Sequence, residues 1–123
     1  YMHWGWEEEA QPSPRLREFA RRMIDAGADI VVGGHPHVTQ GAETYKGKPI
    51  IYSLGNFLFN GFETEATTTG WVLSVKLGRE GVREWRTHVA RLDADGVPRP
   101  APGIASPCGR GGDPAIRECK GTP

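Results

Sequence analysis

Two histidines flank a proline in His35-Pro36-His37, directly after the glycine pair Gly33-Gly34 and the apolar run Ala28-Asp29-Ile30-Val31-Val32. Neutral imidazole is a ligand for Zn, Mn, Fe and Ni. A buried strand ending in Gly-Gly-His-Pro-His places two such ligands on stiffened backbone at a strand end, a common location for a site on an α/β scaffold. A third histidine, His3, lies in the aromatic and apolar segment 1–6, which reads as the end of another strand. In a parallel arrangement these ends share one rim, where His3, His35 and His37 converge. A lone histidine after a strand is ordinarily structural. A His-x-His after a buried strand and a glycine pair, with a strand-end histidine upstream, points instead to metal ligation.

Other polar residues lie near the same rim in sequence. Glu7, four residues after His3, is close enough to reach the same cleft, whereas Glu8 and Glu9 read as a solvated loop. Asn56 follows Ser53-Leu54-Gly55 at a further strand end. It reads equally as a turn residue and as a second-layer hydrogen-bonding or substrate-contacting group. His88 falls mid-strand on a polar face and is expected to be exposed. A dinuclear site also needs carboxylates, and this chain supplies too few at strand ends to hold two metals alone.

The elements that must position these groups follow from patterning. Ser13 is a good N-cap with Pro14 at the first helical position. Leu16, Phe19, Ala20, Met23 and Ile24 form one apolar stripe at helical spacing, and Gly27 ends the helix. A strand over 28–32 follows, so strand, helix and strand suggest an α/β layer. Val38–Tyr45 is a connection or short strand, residues 45–49 a turn, and Ile50–Leu54 a buried strand. Trp71, Leu73, Val75 and Leu77 alternate with Val72, Ser74 and Lys76 as a half-buried strand. Gly78-Arg79-Glu80-Gly81 reads as a hairpin loop and Val82–Leu92 as the returning strand, with Trp85 and Val89 on one face.

From Ala94 the pattern ends: of the last 30 residues six are Gly and six are Pro. The division expected is therefore a domain over 1–92 and an extended or disordered Gly/Pro-rich tail over 93–123. Cys108 and Cys119, the only cysteines, bracket a short loop in this tail and suit a disulfide, which implies an oxidising compartment.

Composition narrows the class. At 123 residues, 37% hydrophobic and 24% charged, the chain suits one modest globular domain. Fifteen basic and 15 acidic residues give a net charge of zero, which argues against a nucleic-acid-binding module. No apolar run approaches the roughly 20 residues of a membrane span. Tyr1-Met2-His3-Trp4 looks like the middle of a strand, so a fragment or processed piece is expected.

Four segments in series carry a resemblance: His3-Trp4-Gly5-x-Glu7, Ile24–Asp29, Gly34-His35-Pro36-His37 and Tyr52-Ser53-Leu54-Gly55-Asn56-Phe57. Over about residues 1–92 the chain resembles the C-terminal half of the bacterial capsule-synthesis CapA, or poly-γ-glutamate biosynthesis, family, itself similar to calcineurin-like metallophosphoesterases. The resemblance implies an α/β fold, part of a β-sandwich flanked by helices (αββα), with its N-terminal half missing. It implies a dinuclear centre of two divalent ions (Mn, Fe or Zn), with His3 and His35 on one ion, His37 on the other, and His3 and His35 catalytic. The Asp-x-His, Asp and Asn-His motifs of that superfamily have no counterpart here, so the N-terminal half or a second chain is needed to complete the site.

The function implied is capsule or poly-γ-glutamate synthesis or export with a phosphoesterase-type hydrolytic site. The alternatives are a non-catalytic component that binds an anionic polymer or a membrane complex, and a metal-dependent amide hydrolase. The implied location is extracytoplasmic, at the cell surface or periplasm, with a membrane anchor in a preceding segment.

Overall fold

The computed structural model describes residues 1–121 and contains one helix and two sheets. The first sheet holds β1 (Met2–His3), β2 (Val31–Gly34), β4 (Lys48–Ile51) and β3 (Ala42–Tyr45), in that order. The pairs β1–β2 and β2–β4 are parallel, and β3 runs antiparallel to β4. The second sheet is antiparallel: β5 (Thr69–Gly78), β6 (Gly81–Leu92), β8 (Ala105–Arg110) and β9 (Ile116–Lys120), with β7 (Pro98–Pro100) also on β6. The architecture is mixed α/β and mostly strand. Among the described residues no helix is long and apolar enough to cross a membrane.

The helix α1 (Pro14–Asp25) is bounded by its capping chemistry. Ser13 Oγ accepts from the Leu16 amide at 3.2 Å. At the other end the Gly27 amide donates to the Ile24 carbonyl and the Ala28 amide to that of Met23, with Gly27 at φ +115°. This bond pair is a Schellman motif, and it draws Ala28 into the helix stop. The strand expected at 28–32 therefore begins later, at Val31, and takes in both glycines. Ala20 and Ile24 are fully packed, while Phe19 is 50% exposed at the rim of the stripe.

The first core joins Trp4, Ala20, Ile24, Val31, Ile50 and Tyr52. Gly33 is a packing requirement rather than a turn. A Cβ there would strike both the Trp4 indole and the Tyr52 carbonyl, which are joined by a 2.8 Å hydrogen bond from Trp4 Nε1. The apolar run at 50–54 forms a shorter ladder than expected, β4 ending at Ile51, although Tyr52 and Ser53 stay buried.

In the second sheet Trp71, Leu73 and Val75 are half-buried as the alternation predicts. Leu77 departs from it and is 68% exposed, because the register shifts between Lys76 and Leu77. Trp85, Thr87 and Val89 point inward from β6. Within the expected tail the extended-or-disordered expectation is corrected in part: residues 98–100, 105–110 and 116–120 are strands. They escape local patterning because their stability is non-local. Thr87 Oγ1 donates to the Pro107 carbonyl at 2.6 Å, and Ser106 Oγ to the Thr87 carbonyl at 3.0 Å. Pro98 and Pro100 sit on the short strand β7, which pairs on one side only. Cys108 and Cys119 are joined as a disulfide across β8 and β9, with Cα atoms 6.0 Å apart.

Replacing Cys108 and Cys119 together by serine is expected to lower the unfolding free energy by about 2–4 kcal/mol. The urea midpoint of the oxidised chain, with and without reductant, provides the measurement. A shift worth less than about 0.5 kcal/mol would show that the strand pairing alone holds this hairpin.

Candidate metal centre

The three parallel strands β1, β2 and β4 end on the same side of their sheet. His3 is the last residue of β1, and His35-Pro36-His37 follows β2 directly. Two backbone bonds lace the segments together beyond the ladder: the Trp4 amide donates to the Gly34 carbonyl at 3.1 Å, and the Glu8 amide to the Pro36 carbonyl at 2.7 Å. The second bond folds the acidic loop back over the His-Pro-His segment. Gln40 Nε2 fastens the same loop by donating to the Glu9 carbonyl at 2.8 Å.

The loop is conformationally forced. His35 has φ +99°, and His37 and Glu8 both have φ +61°. Such backbone costs on the order of 1–3 kcal/mol at each non-glycine residue and persists only where its surroundings dictate it. Pro36 between the two histidines is fully buried and supplies part of that constraint.

The structure gathers Glu7, His35 and His37. One potential ligand atom from each lies within 4.8 Å of the others, the single such group of three or more among the described residues. His3 is adjacent but outside that triplet. Its ring lies 4.3 Å from that of His35, centroid to centroid, tilted by 39°. Glu7, expected to reach the same cleft, brings its carboxylate within reach of both His35 and His37, and His3 stands beside His35 as expected. His3 and Glu7 are exposed, and His35 and His37 half-buried. Two imidazoles and a carboxylate form a donor set suited to a borderline divalent ion such as Zn, Mn or Fe.

Asn56 is held as a positioning group rather than a turn residue. It is 5% exposed. Its Nδ2 donates to the Thr67 carbonyl at 2.8 Å and to the His37 carbonyl at 3.2 Å. With both amide hydrogens so used, Oδ1 faces His37 Nδ1 at 2.7 Å as an acceptor. That contact requires Nδ1–H, which leaves the lone pair of the imidazole on Nε2. Orienting a ligating histidine through its other nitrogen is the usual device of metal sites.

Several contributors were not visible beforehand. Phe59 and Phe62 each place a ring 5.1 Å from that of His37 and form an apolar wall beside it. Thr67 serves through its backbone carbonyl, which no side-chain motif could reveal. A Cβ at Gly70 would overlap the Asn56 carbonyl, so that glycine allows β5 to pass against the site. His88 lies apart on β6, partly exposed, with its Nε2 3.0 Å from Ser74 Oγ.

The sequence profile described as "Bacterial capsule synthesis protein PGA_cap" matches residues 1–61, a stretch that includes every donor in this cluster. The chain is 57% identical over 58 residues to the capsule biosynthesis protein CapA of Bacillus anthracis, covering 47% of this chain and 14% of that protein. Identity to the PGA biosynthesis protein CapA of Bacillus subtilis is likewise 57% over 58 residues, 47% of this chain and 15% of that protein. A probable polyglutamine synthesis accessory protein of Mycobacterium tuberculosis is 44% identical over 55 residues, 45% of this chain and 14% of that protein. The matched segment is thus about one seventh of these relatives' length.

The Asn56 network makes a specific spectroscopic demand. Long-range ¹H–¹⁵N correlation of the imidazoles is expected to show His37 as the Nδ1–H tautomer in the wild-type chain at a pH where it is neutral. In Asn56→Leu that preference should be lost. A wild-type Nε2–H signature for His37 would refute the arrangement.

Proposed function

We propose that the chain, whose residues 1–61 match the model of the bacterial capsule synthesis protein PGA_cap family, is part of a capsule or poly-γ-glutamate synthesis protein carrying a divalent-metal site at the β1–β2–β4 rim. The observation that carries this reading is the convergence of Glu7, His35 and His37, with His37 oriented by Asn56. Further support comes from the strained His-Pro-His loop, since departures of this kind concentrate where a ligand is held.

In this reading His35 and His37 present imidazole donors, and Glu7 supplies the carboxylate that offsets cationic charge. When bound, the divalent ions, two of them in the complete protein, supply Lewis-acid polarisation of a phosphoryl oxygen. His3, exposed beside His35, is placed to donate a proton to a departing oxygen at the open side of the site. Phe59 and Phe62 shield the His37 side from water. The reaction class is hydrolysis of a phosphoester. The two sheets with α1 against the first are in keeping with half of a metallophosphoesterase-type αββα sandwich, and the Asp-x-His, Asp and Asn-His ligands would come from the rest of the protein. The disulfide favours an extracytoplasmic location.

Metal content is the direct test. The full chain loaded with Mn²⁺ or Zn²⁺ and measured by titration calorimetry is expected to bind, and His35→Ala or His37→Ala to lose that binding. Asn56→Ala should weaken it by about 10- to 100-fold without removing a ligand. Unchanged affinity in both histidine variants would sink the assignment.

A further inference from the structure

A small cavity of about 170 Å³ opens on the second sheet and shares no residue with the histidine cluster. Three arginines from three neighbouring strands line it: Arg86 on β6, Arg110 on β8 and Arg117 on β9. The register brings them together. Cys108 pairs with Arg86 on one side and with Arg117 on the other. Residues directly opposite in antiparallel ladders share a face, so both arginines rise from the face that carries Cys108. Their Cα atoms are two strand spacings apart, roughly 10 Å, a gap that two arginine side chains can span. Arg110, two residues after Cys108 on β8, belongs to that face as well.

The guanidinium groups are held in place without being neutralised. Arg86 Nη2 donates to the Lys120 carbonyl, while Arg86 Nε is buried with no hydrogen-bond partner among the described residues. A buried N–H of a charged group is costly to leave unpaired. None of the three arginines forms an ion pair among the described residues. The two carboxylates at the cavity are engaged elsewhere. Glu84 Oε2 accepts from Lys76 Nζ at 3.3 Å, and Asp113 Oδ1 from the Ala115 amide at 2.9 Å. The Cys108–Cys119 disulfide ties β9 to β8 and so fixes the strand of Arg117 against that of Arg110. The unspent polar groups of the cavity are therefore donors, and they carry positive charge.

We propose that this cavity binds a single tetrahedral oxyanion, sulfate or phosphate. Guanidinium forks pair with oxyanions at two points each. Three of them around one pocket suit an ion with acceptor oxygens on every side, more than the two that a planar carboxylate offers. The volume is well below the roughly 300–1,000 Å³ of pockets that enclose organic ligands, so one ion fits and a polymer segment does not. An oxyanion here supplies the acceptor that Arg86 Nε lacks and balances the charge gathered from β6, β8 and β9. The site is independent of the histidine cluster: it needs no metal, and its failure leaves the metal reading untouched.

Calorimetric titration of the full chain with sodium sulfate and with sodium phosphate provides the test, in the presence of EDTA and against sodium chloride of matched ionic strength. Both oxyanions are expected to bind at one site per chain. Arg110→Gln combined with Arg117→Gln should weaken them at least about tenfold. Both positions are exposed, so thermal unfolding without oxyanion should stay as in the wild type. Arg83→Gln, which removes an exposed cation outside the cavity, should bind as wild type. His35→Ala with His37→Ala should also bind as wild type. Undiminished binding by the double arginine variant, an equal loss in Arg83→Gln, loss in the histidine variant, or no heat beyond that of chloride would overturn the proposal. Acetate binding as tightly as sulfate would overturn the tetrahedral assignment, and glycerol phosphate binding more tightly than phosphate would overturn the assignment to a free ion.

Discussion

The contact on which the rest of the structure depends is that of Trp4 with the backbone across Gly33. The indole N–H reaches over β2 to the carbonyl of Tyr52, spanning three strands with one side chain. It can do so only because Gly33 has no Cβ. The bond satisfies a buried donor that would otherwise cost about 1–3 kcal/mol, and it buries the largest aromatic surface of the first core. Its geometric effect matters more than its energy. It draws β1, β2 and the segment after β4 together, so that His3 leaves the sheet against His35 and Asn56 within hydrogen-bonding reach of His37.

From that anchor the constraints descend toward the loop. The glycine pair allows close packing, the buried proline stiffens the next step, and both histidines are left in backbone conformations they would not choose alone. The Glu8–Pro36 bond holds the acidic segment above them. Pre-organisation is therefore distributed: the sheet supplies position, the loop supplies direction, and Asn56 supplies the tautomer.

Much of this was legible from residue order. Ser13-Pro14 and Gly27 marked the helix ends because capping is local chemistry. The Gly-Gly-His-Pro-His stretch announced a candidate site because its histidines and the strand before them are adjacent in sequence. Glu7 was legible as near, but how closely it approaches both His35 and His37 was not, because the bond folding its loop back joins Glu8 to Pro36, 28 positions on. Phe59, Phe62 and the Thr67 carbonyl were hidden for the same reason. The strands after Ala94 were hidden more deeply. Their Gly and Pro content is that of a loop, and only pairing with β6 and the cross-strand disulfide supplies what local propensity withholds.

The three bonds of Asn56 join the histidine loop, its own strand end and the turn before β5. This arrangement makes occupancy and order reciprocal quantities. Any free energy that a group bound at the rim would gain from a pre-set His37 would be returned to the segment between Asn56 and Thr67, at the junction of the two sheets. The buried amide is in this sense a structural link, which ties the aromatic loop after Asn56, whose Phe59 and Phe62 already lie against His37, to the histidine segment.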